Sequence, residues 1–550
     1  MTIPQKGHTV HAGVHSRTSE SFSEHSVQRR TAPGRLRGTG KKPLRVMKFG
    51  GTSVGDASAI QRVLEIIRTA SRESDLVVVV SAMAGVTNQL VAAASRAEAG
   101  DGNAVAAIFA ELRRKHDAAA SALVHSDDER SRIGRAMEEL FETGERLCQG
   151  TILLRELTPR TRDSISSLGE RLSVVLVAAA LAECGIGSAA LEATGLVVTD
   201  ACHGAADPIM NLSRARSEAR LRPLLQQGII PVVTGFIGAT ADGILTTLGR
   251  GGSDYSATIL GAVLEADEVI IWTDVDGLQT ADPRQVPEAR TIPHISYREA
   301  AELAYFGAKV LHPKTLRAVM QCGIPLWIRN TFAPEQLGTK ITPAGPPSVS
   351  GVKALTAISD VVMIAVGGPG LVATPDIAGR ALRAVASVRA DLLLISQASS
   401  QVPAQVSSQN DLCLIISSAL AKPALEALRH EFAPELAHAS TEHVTLNAAV
   451  ALVTVVGQNM SSVPGIIGRT FGALGRRNVN ILAVARSASE CTISFVVAKA
   501  DMQAALSVIH REFQLGFPLN RAINVSLASE ENCYQHCEAV PASQIPDQGD

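Results

Sequence analysis

The stretch Val46-Met47-Lys48-Phe49-Gly50-Gly51-Thr52-Ser53-Val54 decides how the rest of the chain is read. A short apolar strand, Leu44 to Phe49, runs into two glycines, two hydroxyl residues and then an amphipathic helix. Adjacent glycines let main-chain N–H groups approach a ligand without Cβ interference, and a helix N-terminus beyond them favours an anion. Lys48, at the strand end, adds a point charge for the same anion. The arrangement describes a phosphate cradle, although not the GxxxxGK[ST] loop, because here the lysine precedes the glycines.

Working outward, short β-branched runs alternate with helical periodicity as far as Ile341. Ile60, Val63, Leu64 and Ile67 fall on one helix face, and Leu76–Val80, Ile229–Thr234 and Val269–Trp272 read as buried strands. Continuous apolar strands between helices indicate an open parallel sheet covered on both faces, whose ligands bind beyond the carboxyl ends of the strands. The stretch from Thr331 to Ser350 is proline-rich and reads as a linker. Beyond it a βαββα pattern occurs twice, opening at Val361–Val366 and again at Val450–Val456, with Thr374-Pro375 as cap and first residue of the helix at Ile377–Val388. Four-stranded sheets of this kind have open edges that invite a second copy.

The polar clusters sit at strand ends. The loop Ser81 to Thr87 follows the second strand, and Gly169-Glu170-Arg171 places a carboxylate at a helix entrance, where it also suits the helix dipole. Thr234-Gly235-Phe236 ends a strand. In Gly249-Arg250-Gly251-Gly252-Ser253-Asp254, Arg250 offers a planar fork for a carboxylate or phosphate, while Ser253 is expected to cap the next helix. Thr273-Asp274-Val275-Asp276-Gly277 supplies either magnesium carboxylates or a turn, the turn being favoured for Asp276. Arg284 and Lys309 add positive charge, and His312, before a proline, reads as structural. No Ser–His–Asp or Cys–His arrangement and no paired metal ligands stand out. Two glycine cradles, several cations and a few acids suit phosphoryl transfer, where positioning and charge neutralisation dominate.

At 550 residues the chain is too long for one core, so about three or four domains are expected. A 46% apolar, 19% charged composition with net charge −2 is that of a globular protein and argues against a nucleic-acid partner, which would demand a basic stripe. No run of 18 uninterrupted apolar residues indicates a membrane span. The eight cysteines are scattered and fit reduced thiols in the cytoplasm. Residues 1–43, rich in Ser, His, Arg and Gly, and the polar end from Ala528 read as disordered tails.

Taken together, Lys48-Phe49-Gly50-Gly51-Thr52-Ser53-Val54, Gly169-Glu170-Arg171, Gly249–Asp254, Thr273–Gly277 and Phe306-Gly307-Ala308-Lys309 resemble aspartate kinase, of the amino-acid kinase superfamily, in order and spacing. The paired βαββα units resemble its ACT regulatory modules. The resemblance implies an α/β fold: a three-layer αβα kinase domain at 44–342, a linker at 343–350, and ACT-like modules at 351–437 and 438–527. It implies ATP, Mg²⁺ and L-aspartate as ligands, with 4-phospho-L-aspartate as product, at the start of lysine, threonine and methionine biosynthesis. By similarity Lys48 and the amides of Gly50 and Gly51 would stabilise the moving phosphoryl group, and Asp254 would orient Lys48 or join the magnesium shell. Glu170 would take the substrate ammonium and Arg250 its α-carboxylate, with Ser81, Thr87, Phe236, Gly251 and Ser253 fixing the pose. Thr273, Asp274, Arg284 and Lys309 would hold the nucleotide. Gln397, Ser399, Ser400, Asn480 and Ile481 would meet a threonine or lysine effector, and the modules would join a homo-oligomer.

Three departures from the family pattern stand out. Gln279 replaces a frequent tyrosine, which departs from the expected nucleotide contact; residues 401–406 look inserted and Arg486 stands where glutamine is usual, so an altered or weakened effector response is expected. The kinase segment looks most like that of fused, threonine-sensitive aspartate kinase–homoserine dehydrogenases, yet no strand–GxGxxG pattern follows the second module, so a monofunctional kinase is expected. The competing readings are a kinase for another small acid and a catalytically silent amino-acid sensor.

Overall fold

A computed structural model describes residues 42–517, apart from 308–309, 347, 349, 368–375, 398–410, 439–442, 461 and 487–489. Lys309, Ser399, Ser400, Thr374-Pro375, the stretch 401–406 and both expected tails lie outside the described residues.

The first half is an eight-stranded sheet. Its strands are β1 (Leu44–Phe49), β2 (Asp75–Val80), β3 (Ser188–Leu191), β4 (Ile230–Thr234), β7 (Glu268–Thr273), β8 (His294–Ser296), β9 (Leu326–Asn330) and β10 (Thr339–Thr342), in the order β3-β4-β2-β1-β7-β9-β10-β8. All neighbours are parallel except β9 and β10. Runs such as Val77–Val80 and Val269–Ile271 are buried on both faces, which is why they read as unbroken hydrophobic segments. Strand β10 falls inside the proline-rich stretch expected to be linker, because Thr339 and Ile341 turn into the core there. A hairpin, β5 (Ile237–Ala239) and β6 (Leu245–Thr247), stands beside the main sheet.

One face is covered by α1 (Ala57–Ser71), α2 (Val86–Glu98), α3 (Gly102–Leu123), α4 (Asp127–Leu154), α5 (Pro159–Ser166) and α6 (Leu168–Glu183). The other carries α7 (Met210–Gln226), α8 (Gly252–Leu264), α9 (Tyr297–Tyr305) and α10 (Pro313–Cys322). The span 159–183 is apolar enough to cross a membrane by composition, but 83% of its window is buried in this core.

The two repeats hold β11 (Ala354–Gly367), α11 (Ile377–Ser387), β12 (Leu392–Gln397), β13 (Asp411–Ser417), α12 (Ala421–Glu431) and the short α13 (Ala433–His438), then β14 (His443–Val456), α14 (Ile466–Gly475), β15 (Ile481–Arg486), β16 (Thr492–Ala498) and α15 (Met502–Glu512). Each opening strand is longer than its sequence pattern. The first part of β11 pairs with the end of β14, and the last part of β11 with the beginning of β14. Each repeat therefore owns three strands and borrows its fourth, in one six-stranded sheet ordered β12-β13-β11-β14-β16-β15. That sheet curls: β12 and β15, its two edges, approach one another within the same chain, sharing a core with Leu394 and Ala483.

Candidate active site

Strands β1, β2, β4 and β7 end at one rim, and the chemistry collects there. A hollow of about 510 Å³ is lined by Lys48, Gly51, the loop Ser81 to Gly85, Thr87, Asn88, Glu170, Phe236 and the run Gly249 to Asp254. Lys48, Gly51, Ser81, Thr87, Glu170, Phe236, Arg250, Gly251, Ser253 and Asp254, expected from sequence to act together, share this one hollow.

Lys48 is the last-but-one residue of β1 and is 7% exposed. Its Nζ meets Asp254 Oδ1 at 2.6 Å. Asp254 lies in the first turn of α8, so a buried ammonium and a helix N-terminus are drawn to one point. The sequence reading located the anion-favouring helix end wrongly. Helix α1 begins at Ala57 and is capped by Asp56, whose carboxylate accepts from Ala59 N–H, so that end is already supplied with negative charge. It is α8, after the second glycine run, whose first turn faces the hollow. Gly50 is also corrected: its N–H donates to Trp272 O at 2.9 Å, extending the β1–β7 pairing, and is not free for a phosphate. Ser253 does not cap α8; Gly251 occupies the cap position at φ +70°, leaving the Ser253 hydroxyl to line the hollow. A Cβ on Gly251 would meet His312 Cβ at 2.7 Å, so glycine is required there on both counts. His312 itself caps α10, accepting from Lys314 N–H, as a structural histidine should. Burial lowers its pKa, which suits an acceptor nitrogen.

Glu170 enters on α6 beneath the 81–85 loop. Gly169 makes the approach possible, since a Cβ there would come within 2.6 Å of Ala82 Cβ. The Glu170 carboxyl is 3% exposed, accepts from Ala82 N–H, and has one buried oxygen, Oε2, without a hydrogen-bond partner. Burial pushes its pKa up to about 8, against the opposing pull of Ala82 N–H and Lys48. A buried, half-satisfied acid facing a cavity is suited to receive a cation. Lys115, on α3, donates from Nζ to Ala84 O at 2.5 Å and so pins the 81–85 loop. The sequence reading missed it, because on an amphipathic helix it looks like any solvated lysine.

The expected nucleotide residues are spread more widely. Thr273 ends β7, next to Lys48's strand, and Asp274 follows it, with Thr273 Oγ1 donating to Asp274 Oδ1 at 3.2 Å. Asp276 accepts from Asn330 Nδ2 at 2.7 Å ahead of Gly277, consistent with a turn. Gln279 donates to Thr291 Oγ1 and serves its own loop. Arg284 is not brought to the hollow: it pairs with Asp282 at 2.7 Å and lies in a separate depression with Gln285, Lys499 and Met502, because its loop packs on the second repeat. Gln397 is exposed at the end of β12, Ile481 opens β15, and Asn480 Oδ1 accepts from Ile481 N–H. Among the described residues there is no cluster of three or more metal-ligating side chains.

Comparison with known proteins fits this geometry. The profile of the amino acid kinase family matches residues 43–330, and that of the ACT domain matches residues 453–513. Aspartokinase 1, chloroplastic, of Arabidopsis thaliana is 31% identical over 477 residues, covering 85% of this chain and 80% of that protein. The chain belongs to the amino acid kinase family, among the aspartokinases. The bifunctional aspartokinase/homoserine dehydrogenase 1 of Arabidopsis thaliana is 34% identical over 478 residues, 86% of this chain; the chain spans about half (51%) of that relative's length. Among solved structures, E. coli aspartokinase III in complex with aspartate and ADP superposes with a TM-score of 0.69 at 28% identity, over 85% of this chain and 99% of that one. A large, mostly parallel sheet followed by a six-stranded antiparallel sheet is thus observed in a chain whose fold matches that of a solved aspartokinase.

Proposed function

We propose that this chain is an ATP-dependent aspartate kinase, moving the γ-phosphoryl group to the side-chain carboxylate of L-aspartate. The observation that carries the reading is the single hollow in which a buried acid, Glu170, and a guanidinium, Arg250, share walls with the Lys48–Asp254 pair. Glu170 receives the ammonium and Arg250 the α-carboxylate, with a bidentate fork available to the latter. The side-chain carboxylate then points to Lys48. It is already an ionised nucleophile, so no general base is needed. The difficulty is repulsion between that carboxylate and a triphosphate, and Lys48, the Gly51 region and the N-terminal turn of α8 neutralise it. Asp254 holds Lys48 in place; one carboxylate beside nucleotide phosphates also suits magnesium, which when bound offsets phosphate charge. Ser81, Thr87, Phe236 and Ser253 shape the pose, and Thr273 and Asp274 serve the nucleotide from the neighbouring strand end.

Regulation by an amino acid such as lysine or threonine through the paired modules belongs to the same proposal, supported by the ACT match and by a solved E. coli aspartokinase III complex with lysine and aspartate. So does kinase activity without dehydrogenase activity. The decisive experiment is an aspartyl-hydroxamate assay on purified protein with and without Lys48→Ala. The variant is expected to lose at least about 10²-fold in turnover, as for a lost transition-state donor. Wild-type turnover in the variant, or no acyl phosphate from the wild type, defeats the reading; homoserine formation from aspartate semialdehyde and NADPH defeats its monofunctional part.

A further inference from the structure

Asp163 is a 2% exposed carboxylate that none of the sequence motifs includes. It lies on α5 and accepts four hydrogen bonds: from Thr247 Oγ1 at 2.6 Å, Thr247 N–H at 3.2 Å, Gly204 N–H at 3.1 Å and His203 Nδ1 at 2.8 Å. Surrounding a buried carboxylate with four donors from two separate segments, 203–204 and 247, is costly to arrange. A purely structural site could be apolar. What distinguishes this one is where its partners lead.

Thr247 ends β6, three residues before Arg250. The turn at Gly204 backs directly against the same run, since a Cβ on Gly249, at φ +79°, would stand 2.8 Å from Gly204 O. On the other side, Asp163 O accepts from Ser167 N–H at the junction with α6, which carries Glu170. The Asp163 carboxylate therefore ties α5, which runs through the Ser167 junction into the helix of Glu170, to the two segments that flank Arg250. We infer that Asp163 is a positioning residue that sets the separation of Glu170 and Arg250, and with it recognition of the ammonium and α-carboxylate of the amino-acid substrate. The inference rests on the proposed roles of those two residues. Asp163 touches no substrate and acts only through Thr247, His203 and Gly204.

The test is steady-state kinetics with L-aspartate and ATP varied separately. Asp163→Asn keeps the shape but exchanges acceptor capacity for a donor. It is expected to raise KM for L-aspartate at least about tenfold while KM for ATP stays within about twofold, because misplacing one clamp by a fraction of an ångström weakens only the ligand it holds. Thr247→Val, which loses the hydroxyl, is expected to shift the same constant in the same direction, and Thr247→Ser, which retains it, to restore the wild-type value. If Asp163→Asn fails to fold, Thr247→Val and His203→Gln carry the test. A merely structural role would lower thermal stability in these variants without separating the two KM values, and that result overturns the inference. Glu170→Gln and Arg250→Lys run in the same series separate two kinds of failure. If they raise KM for aspartate and the Asp163, Thr247 and His203 variants do not, the positioning role alone falls; if they do not, the site assignment falls and the inference with it.

Discussion

Replacing Glu170 with glutamine is expected to make the protein more stable in mild alkali while disabling it. The Glu170 carboxyl is 3% exposed and its pKa rises from 4.5 to about 8 on folding, chiefly through burial. Between those two values the folded protein retains a proton that the unfolded chain has released. The contribution of this group to stability is therefore fully present below pH 4.5 and lost as pH rises through about 8. The full separation corresponds to ~5 kcal/mol, at 1.36 kcal/mol for each pKa unit. Glutamine keeps the volume and can still accept from Ala82 N–H, but has nothing to titrate. Urea unfolding of wild type and Glu170→Gln at pH 5.0, 7.0 and 8.5 should show a difference that widens in favour of the variant by several kcal/mol from the lowest pH to the highest. In the wild type, kcat/KM for aspartate should climb with pH up to about 8, because only the ionised carboxylate pairs with the substrate ammonium. In the variant that rise disappears and KM increases by roughly 10- to 100-fold, the worth of a hydrogen bond to a charged group. A stability difference that stays constant over this range would refute the assignment of Glu170 as a buried acid kept proton-bound until substrate arrives.

Three further outcomes follow from the packing. Lys353 and Glu299 form an ion pair of 2.9 Å at 8% and 0% side-chain exposure, so Lys353→Met leaves a buried carboxylate unpaired and should cost about 3–5 kcal/mol in urea unfolding, with Lys353→Met/Glu299→Gln well below the sum of the singles. The exposed i,i+3 pair Arg68–Glu65, by contrast, should yield no more than about 1 kcal/mol when broken. Gly251→Ala, forced into a left-handed conformation against His312, should lower stability by about 1–3 kcal/mol and reduce aspartate turnover more than tenfold, measured by chemical denaturation and the hydroxamate assay.

Much of the candidate site was legible because its polar residues and its turn-forming glycines fall in the same runs. Apolar runs that stop at glycine mark parallel strands, and the polar residues just beyond them lie at the carboxyl edge whatever else the fold does. That logic marked Lys48 and the Ser81 loop; Glu170, at the α5–α6 junction, and Arg250 and Asp254, after the hairpin strand β6, were marked by their glycine runs, and all line one hollow. It failed where a main-chain group has two uses: the Gly50 amide looks free in sequence and is taken by Trp272 O in space. It also failed for charges whose partners are distant in the chain. Asp163 follows Pro159-Arg160-Thr161-Arg162 and reads as a solvated helix residue, although its partners lie 40 and more residues away. The repeats were legible as βαββα units, but the borrowed strand was not, since Ala354–Ile358 and His443–Ala449 pair across units whose separation in sequence hides them from each other.

The loop between β7 and β8 belongs to two structures at once, and this limits how regulation can reach the active site. At one end it carries Thr273 and Asp274, beside the strand of Lys48; further on, Ala281 and Val286 are buried in the core of the second repeat. Thr280 Oγ1 meets His510 Nε2 of α15 at 3.0 Å and accepts from Arg290 N–H, while Arg290 Nε donates to Leu515 O at 2.6 Å. Burial lowers the pKa of His510, so the neutral ring can accept from the Thr280 hydroxyl. Its contribution is present above its ordinary pKa of 6.5 and is lost as pH falls through the lowered folded value. Once corrected for the intrinsic base-catalysed rate, the exchange protection of 278–292 and 502–512 should therefore fall together on acidification from pH 7, and should not vary with pH in His510→Ala. A contact becomes a coupling only if it has two arrangements biased by two ligands. Should an amino acid that inhibits turnover leave exchange in this loop unchanged, α15 is a fixed strut, and the contacts left to carry coupling include the Lys353–Glu299 pair and Phe306, whose carbonyl accepts from Thr356 Oγ1 on β11 at 2.9 Å.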